Sequence, residues 1–380
     1  MHVYGFPVTC TDCACVSGEN GGEAGVLVPD SGGAAPQSAA LVWPNPAGLD
    51  LHVGKAGVRV VLGFGDVHDL AEPPVAAAKI DELSATSSCP AGLCVIALRE
   101  RDLDLFAKAV PGLKVDFALI SLSTLNMPSS KGNYWTVKSY NTIYNSEHLK
   151  AWYTQNYDNT VPGGKMRVFP LGIDYHTLAG TSAQISGVGG DNTFKTVHSI
   201  TPAEQDRKVK EIFANSAPWA QRPHTLYIGA YANTHATRQS SAFRAIRSKV
   251  AGVLHSPDRK DRWEMIRDLS KSKFVLAPRG LGMSSIRFYE AVMVGAVPVC
   301  DRLNSAPMNK LHERLGAIIV DSWAEVTDAN IAKWTKAIET KDYASNPFTA
   351  HLGKVDRALL TTRFWMDCVR TGKDCIGEVY

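Results

Sequence analysis

The sequence contains no long hydrophobic run. Its longest uncharged apolar stretch, Ala291 to Cys300, is about half of the ~20 residues a membrane-spanning helix needs. Nor does it open with the charged-then-apolar segment that directs secretion. The expectation is a chain without leader or anchor, placed in the Golgi lumen if an anchor has been removed and in the cytoplasm otherwise. A charge excess is also missing. Forty Lys and Arg against 37 Asp and Glu leave +3, too weak a field to make a nucleic acid the default partner. No asparagine stands in a glycosylation sequon, and no Gly-Lys-Ser/Thr follows any glycine cluster, which removes the P-loop nucleotide hydrolases.

Cysteine is too sparse for a disulfide scaffold, at eight in 380 residues. Cys10, Cys13 and Cys15 have a spacing that invites zinc, but no second Cys or His pair lies close behind to complete four ligands, so disulfides or plain thiols are expected there. Cys89 with Cys94, and Cys368 with Cys375, are local pairs able to bridge short loops.

What is present describes a globular protein: 45% hydrophobic and 20% charged residues, with mean hydropathy of −0.10. The length suits two domains. Residues 1–50 are rich in Gly, Ala, Ser and Pro and read as an arm. Short apolar runs then begin. Those starting at Val58, Cys94, Phe117 and Val168 read as buried parallel strands, with helices over Val75 to Leu83 and Leu103 to Val110 between them. The glycines of Gly187 to Gly190 follow no strand and read as a connector. A second series comprises helices at Pro202–Asn215, Ser241–Val250, Trp263–Ser270 and Ser285–Val294. Its strands are expected at Thr225–Ala230, Phe274–Ala277, Ala296–Val299 and Ala317–Val320. The fold class is therefore α/β, with two Rossmann-like domains facing across a cleft.

The chemistry concentrates in Ser272 to Val299, a strand, a glycine-containing loop, a helix and a strand. Such a loop lies at the carboxyl edge of its sheet, where open α/β folds bind ligands. Gly280 and Gly282 permit close backbone approach, while Ser284 and Ser285 sit where helix N–H groups and the dipole favour an anion. The following helix is apolar nearly all round except for Arg287 and Glu290, three residues apart on one face. Two readings stay open. Either the two charges pair with each other, or Arg287 with Arg279 neutralises a diphosphate while Glu290 accepts hydrogen bonds from a ribose diol.

Pro278-Arg-Gly, Ser285-Ile-Arg-Phe, Glu290-Ala and Val297-Pro-Val, at this spacing, resemble the donor-binding signature of the exostosin-type (family 47) glycosyltransferases. Trp152 to Asn156, Phe169 to His176, the helix near residue 205, Tyr227 to Arg238 and Ala317 to Val326 resemble other elements of that family. The resemblance covers roughly residues 115–335, tightly only in its last third. It implies a GT-B enzyme that inverts the anomeric carbon as it moves a hexosyl or glycuronosyl group from a nucleotide-sugar, foremost a UDP-sugar, to a glycan or glycoconjugate hydroxyl. Residues 51–200 would then form the acceptor side, 201–340 the donor side and 341–380 a helical tail. The donor contacts would be Arg238, Arg279, Gly280, Gly282, Ser284, Ser285, Arg287 and Glu290, with Arg238 equally readable as a solvated helix-start arginine.

An inverting transfer needs a base for the acceptor hydroxyl. Asp66, His68 and Asp69 end a strand and face the expected cleft, and Asp174 with His176 follows a turn; each also reads as a cap or turn residue. No metal or other cofactor is expected, because the one D-x-D, Asp102-Leu-Asp104, falls on a helix with an apolar stripe of Leu103, Phe106 and Val110 and reads as a solvated face. Two other classes fit the same residues: a nucleotide- or glycan-binding module without activity, and a sugar-nucleotide-processing enzyme such as an epimerase.

Overall fold

The structure is a computed structural model that describes residues 93–99, 103–122, 137–157, 164–173, 202–231, 235–258, 260–280, 282–340, 357–360 and 362–377. The strand at Val58, the helix Val75 to Leu83, the Cys10/Cys13/Cys15 trio and the glycine connector lie outside these residues. In the first half, β1 (Cys94–Arg99), β2 (Phe117–Leu122), β3 (Leu149–Thr154) and β4 (Met166–Val168) form one sheet. The strands pair in chain order and all in parallel. Helices α1 (Leu103–Ala109) and α2 (Val137–Tyr144) accompany them. Leu103, Phe106 and Val110 are buried, so the expected apolar stripe of α1 is real.

The second half is a five-stranded parallel sheet of β5 (His224–Ile228), β6 (Val253–His255), β7 (Ser272–Leu276), β8 (Val297–Asp301) and β9 (Ile318–Val320). The α/β class and the pair of Rossmann-like sheets are thus what the chain adopts. Its helices are α3 (Pro202–Ala214), α4 (Ala236–Gln239), α5 (Ser241–Lys249), α6 (Arg262–Ser270), α7 (Ile286–Met293), α8 (Ala306–Arg314) and α9 (Asp328–Thr340). Strand β3, strand β6 and helices α2, α4, α8 and α9 are additions to the elements read from the sequence.

The side-chain alternation of the strands explains why this sheet is covered twice. Leu226, Ile228, Phe274, Leu276, Val299, Ile318 and Val320 join one apolar cluster with Phe243 and Ile246 of α5 and Ile331, Trp334 and Ile338 of α9. Tyr227, Val275, Cys300 and Ile319, one residue out of phase, join the other with residues of α6, α7 and α8. A period of two puts successive side chains on opposite faces, so a slip of one residue would exchange the two cores. The second cluster also takes in the buried residues of the first sheet, so the halves share a core.

The halves meet at their carboxyl edges. Asn156, just past β3, accepts a hydrogen bond from the Met283 amide at 2.6 Å. Ser305 donates to the Tyr157 carbonyl, and the Leu171 amide donates to the Tyr289 hydroxyl at 3.3 Å. The end of the chain then returns across the join. In helix α10 (Thr362–Thr371), Trp365 is fully buried with its ring edge-to-face against Phe169. The Tyr153 hydroxyl of β3 donates to the carbonyls of Cys368 and Lys373 at 3.2 and 2.6 Å. Cys94 is disulfide-bonded, whereas Cys300, Cys368 and Cys375 are free thiols.

Candidate functional site

The strand order β6-β5-β7-β8-β9 reverses direction between β5 and β7. The chain turns one way after β5, to β6, and the other way from β7 onward. The loops leaving β5 and β7 therefore part, and a crevice opens at their carboxyl ends, the place where doubly wound sheets take ligands. Gly229 to Arg238 follow β5 and Ala277 to Ser285 follow β7, so the Arg238 and Arg279 singled out in the sequence flank this switch point.

The β7 loop is fixed from three sides. Arg238 donates from Nε to the Arg279 carbonyl at 2.9 Å and from a terminal nitrogen to the Pro278 carbonyl at 3.1 Å. Asp301, at the end of β8, accepts from the Arg279 amide at 3.0 Å. From the other sheet comes Asn156, whose side-chain oxygen would lie 2.8 Å from a Cβ placed on Gly282. That close approach is why glycine is needed there, because a methyl group has no room. Gly280 is half-buried in the same loop. Ser284 turns inward, its hydroxyl 3.2 Å from Nε2 of the buried His312, whose ring stacks on Phe288 at 4.2 Å. Burial alone pushes the His312 pKa down to about 3.

Helix α7 begins at Ser285, which has the extended backbone of an N-cap, yet its hydroxyl caps nothing and is buried without a partner. One turn on, Glu290 is 4% exposed and lies between two guanidinium groups, Arg287 at 3.3 Å and Arg262 at 3.4 Å. The Arg287–Glu290 pairing that the sequence left open is therefore present, with Arg262 of α6 as a second partner. Arg287 also sits 5.9 Å from the centre of the Tyr227 ring and donates to the Met265 sulfur. Neither pairing exhausts these arginines. The Nε atoms of Arg262, Arg279 and Arg287 are buried with no hydrogen-bond partner. Buried donors are nearly always satisfied, and those of Arg279 and Arg287, on the β7 loop and the helix start after it, are open to an acceptor from outside the chain.

The electrostatics agree. Arg238, Arg262, Arg279 and Arg287 face the carboxylates of Glu290 and Asp301, an excess of positive charge. The pKa of Arg238 is lowered, chiefly by burial and further by Arg287, although Tyr231 and Asp301 oppose the shift. His235 is lowered by burial and by Arg279. Its Nδ1 accepts the Thr237 amide at 3.2 Å, which assigns the neutral ring's proton to Nε2 and makes it a further donor beside the loop. The arrangement can bind a compact, multiply charged anion through guanidinium groups, a hydroxyl and a helix N-terminus.

Two concavities on the surface lie at the opposite edges. One of about 780 Å³ is lined by Val110, Lys138, Asn145 and His148, at the amino ends of β2 and β3. Another of about 310 Å³, between Lys208, Asn215, Arg267 and Lys271, lies at the amino ends of β5 and β7. Both sit away from the edge at which such sheets do chemistry.

The structure thus brings Arg238, Arg279, Gly280, Gly282, Ser284, Ser285, Arg287 and Glu290 together around one loop and helix start. Asp66, His68, Asp69, Asp174 and His176 lie outside the described residues. Sequence reasoning missed Arg262, Asp301, His235 and His312, and took Asn156 only as part of a motif. Asp301 carried a usable signal, a carboxylate directly after the apolar strand Val297 to Cys300; Arg262 looked like one of a solvated run from Asp258. Among the described residues no group of three His, Cys, Asp or Glu is placed to hold a metal, and no helix is long and apolar enough to cross a membrane.

No protein-family profile matches the chain, and no curated protein does. Among solved structures, an α,α-trehalose 6-phosphate synthase of Burkholderia multivorans is 10% identical, with a TM-score of 0.41 over 79% of this chain and 74% of its own. A UDP-forming α,α-trehalose-phosphate synthase of Burkholderia vietnamiensis has a TM-score of 0.34 at 10% identity over 78% of this chain and 77% of its own. That of Burkholderia xenovorans, in complex with glucose-6-phosphate, has a TM-score of 0.32 at 12% identity over 79% and 75%. At this distance no residue role is transferred from them.

Proposed function

We propose that this chain is a glycosyltransferase of the GT-B kind that uses a nucleotide-sugar, foremost a UDP-sugar, and binds its diphosphate at the start of α7. One observation carries the reading: the Nε atoms of Arg279 and Arg287 and the hydroxyl of Ser285 are buried without a hydrogen-bond partner, and all three residues stand on the loop and helix start that follow β7 at the switch-point edge of the sheet. A diphosphate supplies acceptors for all of them and balances the excess charge without a metal. The exostosin-like spacing of Arg279, Ser285, Arg287 and Glu290 supports the same donor.

In the transfer, the acceptor oxygen bonds to the anomeric carbon from the face opposite the departing diphosphate, and the configuration inverts. The arginines stabilise the charge that grows on the leaving phosphate oxygen. The acceptor's proton passes to a carboxylate or imidazole, for which Asp66, His68, Asp69 and Asp174 are the candidates. Glu290 has both oxygens engaged by arginine, so its first task is to hold Arg287 and Arg262 in place; its remaining lone pairs accept from a ribose hydroxyl.

Calorimetric titration with UDP tests this. The folded chain should bind UDP, with EDTA changing the affinity by no more than a few-fold, and Arg279→Ala should weaken binding by roughly 10- to 150-fold, the worth of a charge-assisted hydrogen bond of about 1.5–3 kcal/mol. Failure of the wild type to bind any nucleoside diphosphate would refute the proposal. Binding without glycoside formation from any UDP-sugar would leave a module that only binds.

A further inference from the structure

The last turn of the chain holds a second chemistry, independent of the donor-site reading. Helix α10 ends at Thr371, Gly372 turns with φ +66°, and the chain doubles back: the Lys373 amide donates to the Cys368 carbonyl at 3.2 Å and the Cys375 thiol lies 4.0 Å from the Lys373 carbonyl, so Cys375 returns alongside the helix end that carries Cys368. Each strand of this hook is tied to a different half of the molecule. The Tyr153 hydroxyl of β3, in the first half, holds the carbonyls of Cys368 and Lys373 at 3.2 and 2.6 Å. Arg314 and Lys310 of α8, in the second half, hold the carbonyls of Cys375 and Gly377 at 3.1 and 3.4 Å. Two cysteines seven positions apart, on segments folded back and already positioned by other bonds, need little backbone movement to join.

We infer that Cys368 and Cys375 are a redox pair which oxidises to an intrachain disulfide, and that this bond locks the C-terminal hook as a strap between the two sheets. The oxidant is of the disulfide class, such as oxidised glutathione. Cys368, the more exposed of the two, loses its proton and attacks one sulfur of the oxidant, whose S–S bond breaks as the first thiolate leaves. Cys375 then loses its proton and displaces the second thiolate from Cys368. Two electrons pass to the oxidant, which becomes two thiols. The neighbouring Cys375 lowers the Cys368 pKa, which suits it as the attacking sulfur, while that of the buried Cys375 is raised. The disulfide at Cys94 shows that the fold accommodates such a bond elsewhere.

The full chain, equilibrated with oxidised or reduced glutathione, is alkylated and digested with trypsin. Cleavage after Arg363, Arg370 and Lys373 puts the two cysteines on separate peptides, residues 364–370 and 374–380. Oxidation should yield these two joined, two hydrogens lighter than their sum, and raise the melting temperature by about 4 °C. Cys368→Ser and Cys375→Ser should each abolish both effects while leaving the reduced protein's melting temperature within ~1 °C of wild type. Recovery of both peptides singly alkylated after oxidation, or joined to any other cysteine, would overturn the pairing. A joined pair with an unchanged melting temperature would overturn the strap.

Discussion

Asp116 in the first half of the molecule and Glu290 in the second each lie between two basic side chains, and the two clusters differ in edge and in depth. In the first half Asp116, just before β2, lies 3.1 Å from both His148 and Lys150, with its side chain 42% exposed. In the second half Glu290 lies between Arg262 and Arg287 and is 4% exposed. The first cluster stands at the amino edge of its sheet, in water that satisfies whatever the ion pair does not. The second stands near the carboxyl edge, beside a topological switch point, where buried donors are left over for a ligand. Similar charges thus give a solvated surface in one half and a candidate binding site in the other; the difference is made by the sheet edge and by dehydration.

Four measurements test this contrast between the halves. The largest effect is expected from Glu290→Gln, which strands two guanidinium groups in a dry site. Breaking a buried pair costs about 3–5 kcal/mol, so the melting temperature should fall sharply. A change no larger than at an exposed pair would mean that water reaches the cluster.

Acid should act next, through His312. Its folded pKa of about 3 lies below the ordinary value of 6.5, so the unfolded chain takes up a proton that the folded chain refuses. The contribution to stability is complete above pH ~6.5 and is lost as pH falls from there toward ~3, at about 1.4 kcal/mol per unit, or roughly 2 kcal/mol by pH 5. Urea midpoints recorded from pH 7 to 5 should show this slope, and His312→Gln should flatten it. An equally steep slope in the variant would place the acid sensitivity elsewhere.

Gly282→Ala comes third. The new methyl group meets the Asn156 amide oxygen, and overpacking of this kind costs about 1–3 kcal/mol. Adding Asn156→Gly should recover part of that loss in thermal melts. Strict additivity of the two changes would show that the halves do not touch there. Smallest is Asp116→Asn in the first half, expected to move stability by less than about 1 kcal/mol, and less still in high salt.

Much of this arrangement was legible in the sequence because it depends on neighbours along the chain. The buried α7 with Arg287 and Glu290 three residues apart, the glycine loop before it and the strand after it all follow from helical and strand periodicities within one short stretch. Strand β3 was harder to see. Its Leu-Lys-Ala-Trp-Tyr-Thr run is buried at every position but Lys150, so no alternation marks it as a strand. Helix α8 starts with Ala306 and Pro307 after Ser305, a cap signal that is easy to pass over in a polar stretch.

By itself, then, the sequence determined the α/β class, the strand–loop–helix unit at Ser272 to Val299, and the residue types able to meet an anion there, since spacing and side-chain polarity are local properties of the chain. The packing of the chain in three dimensions sets the rest: the strand order reverses between β5 and β7, Arg262 completes the pair at Glu290, Asn156 reaches Gly282 from the other sheet, and Cys368 and Cys375 lie in a hook held by both halves. Apart from the two cysteines, those partners stand many residues apart; what unites them is the packing of two sheets against a shared core, which no pattern along a single stretch of chain encodes.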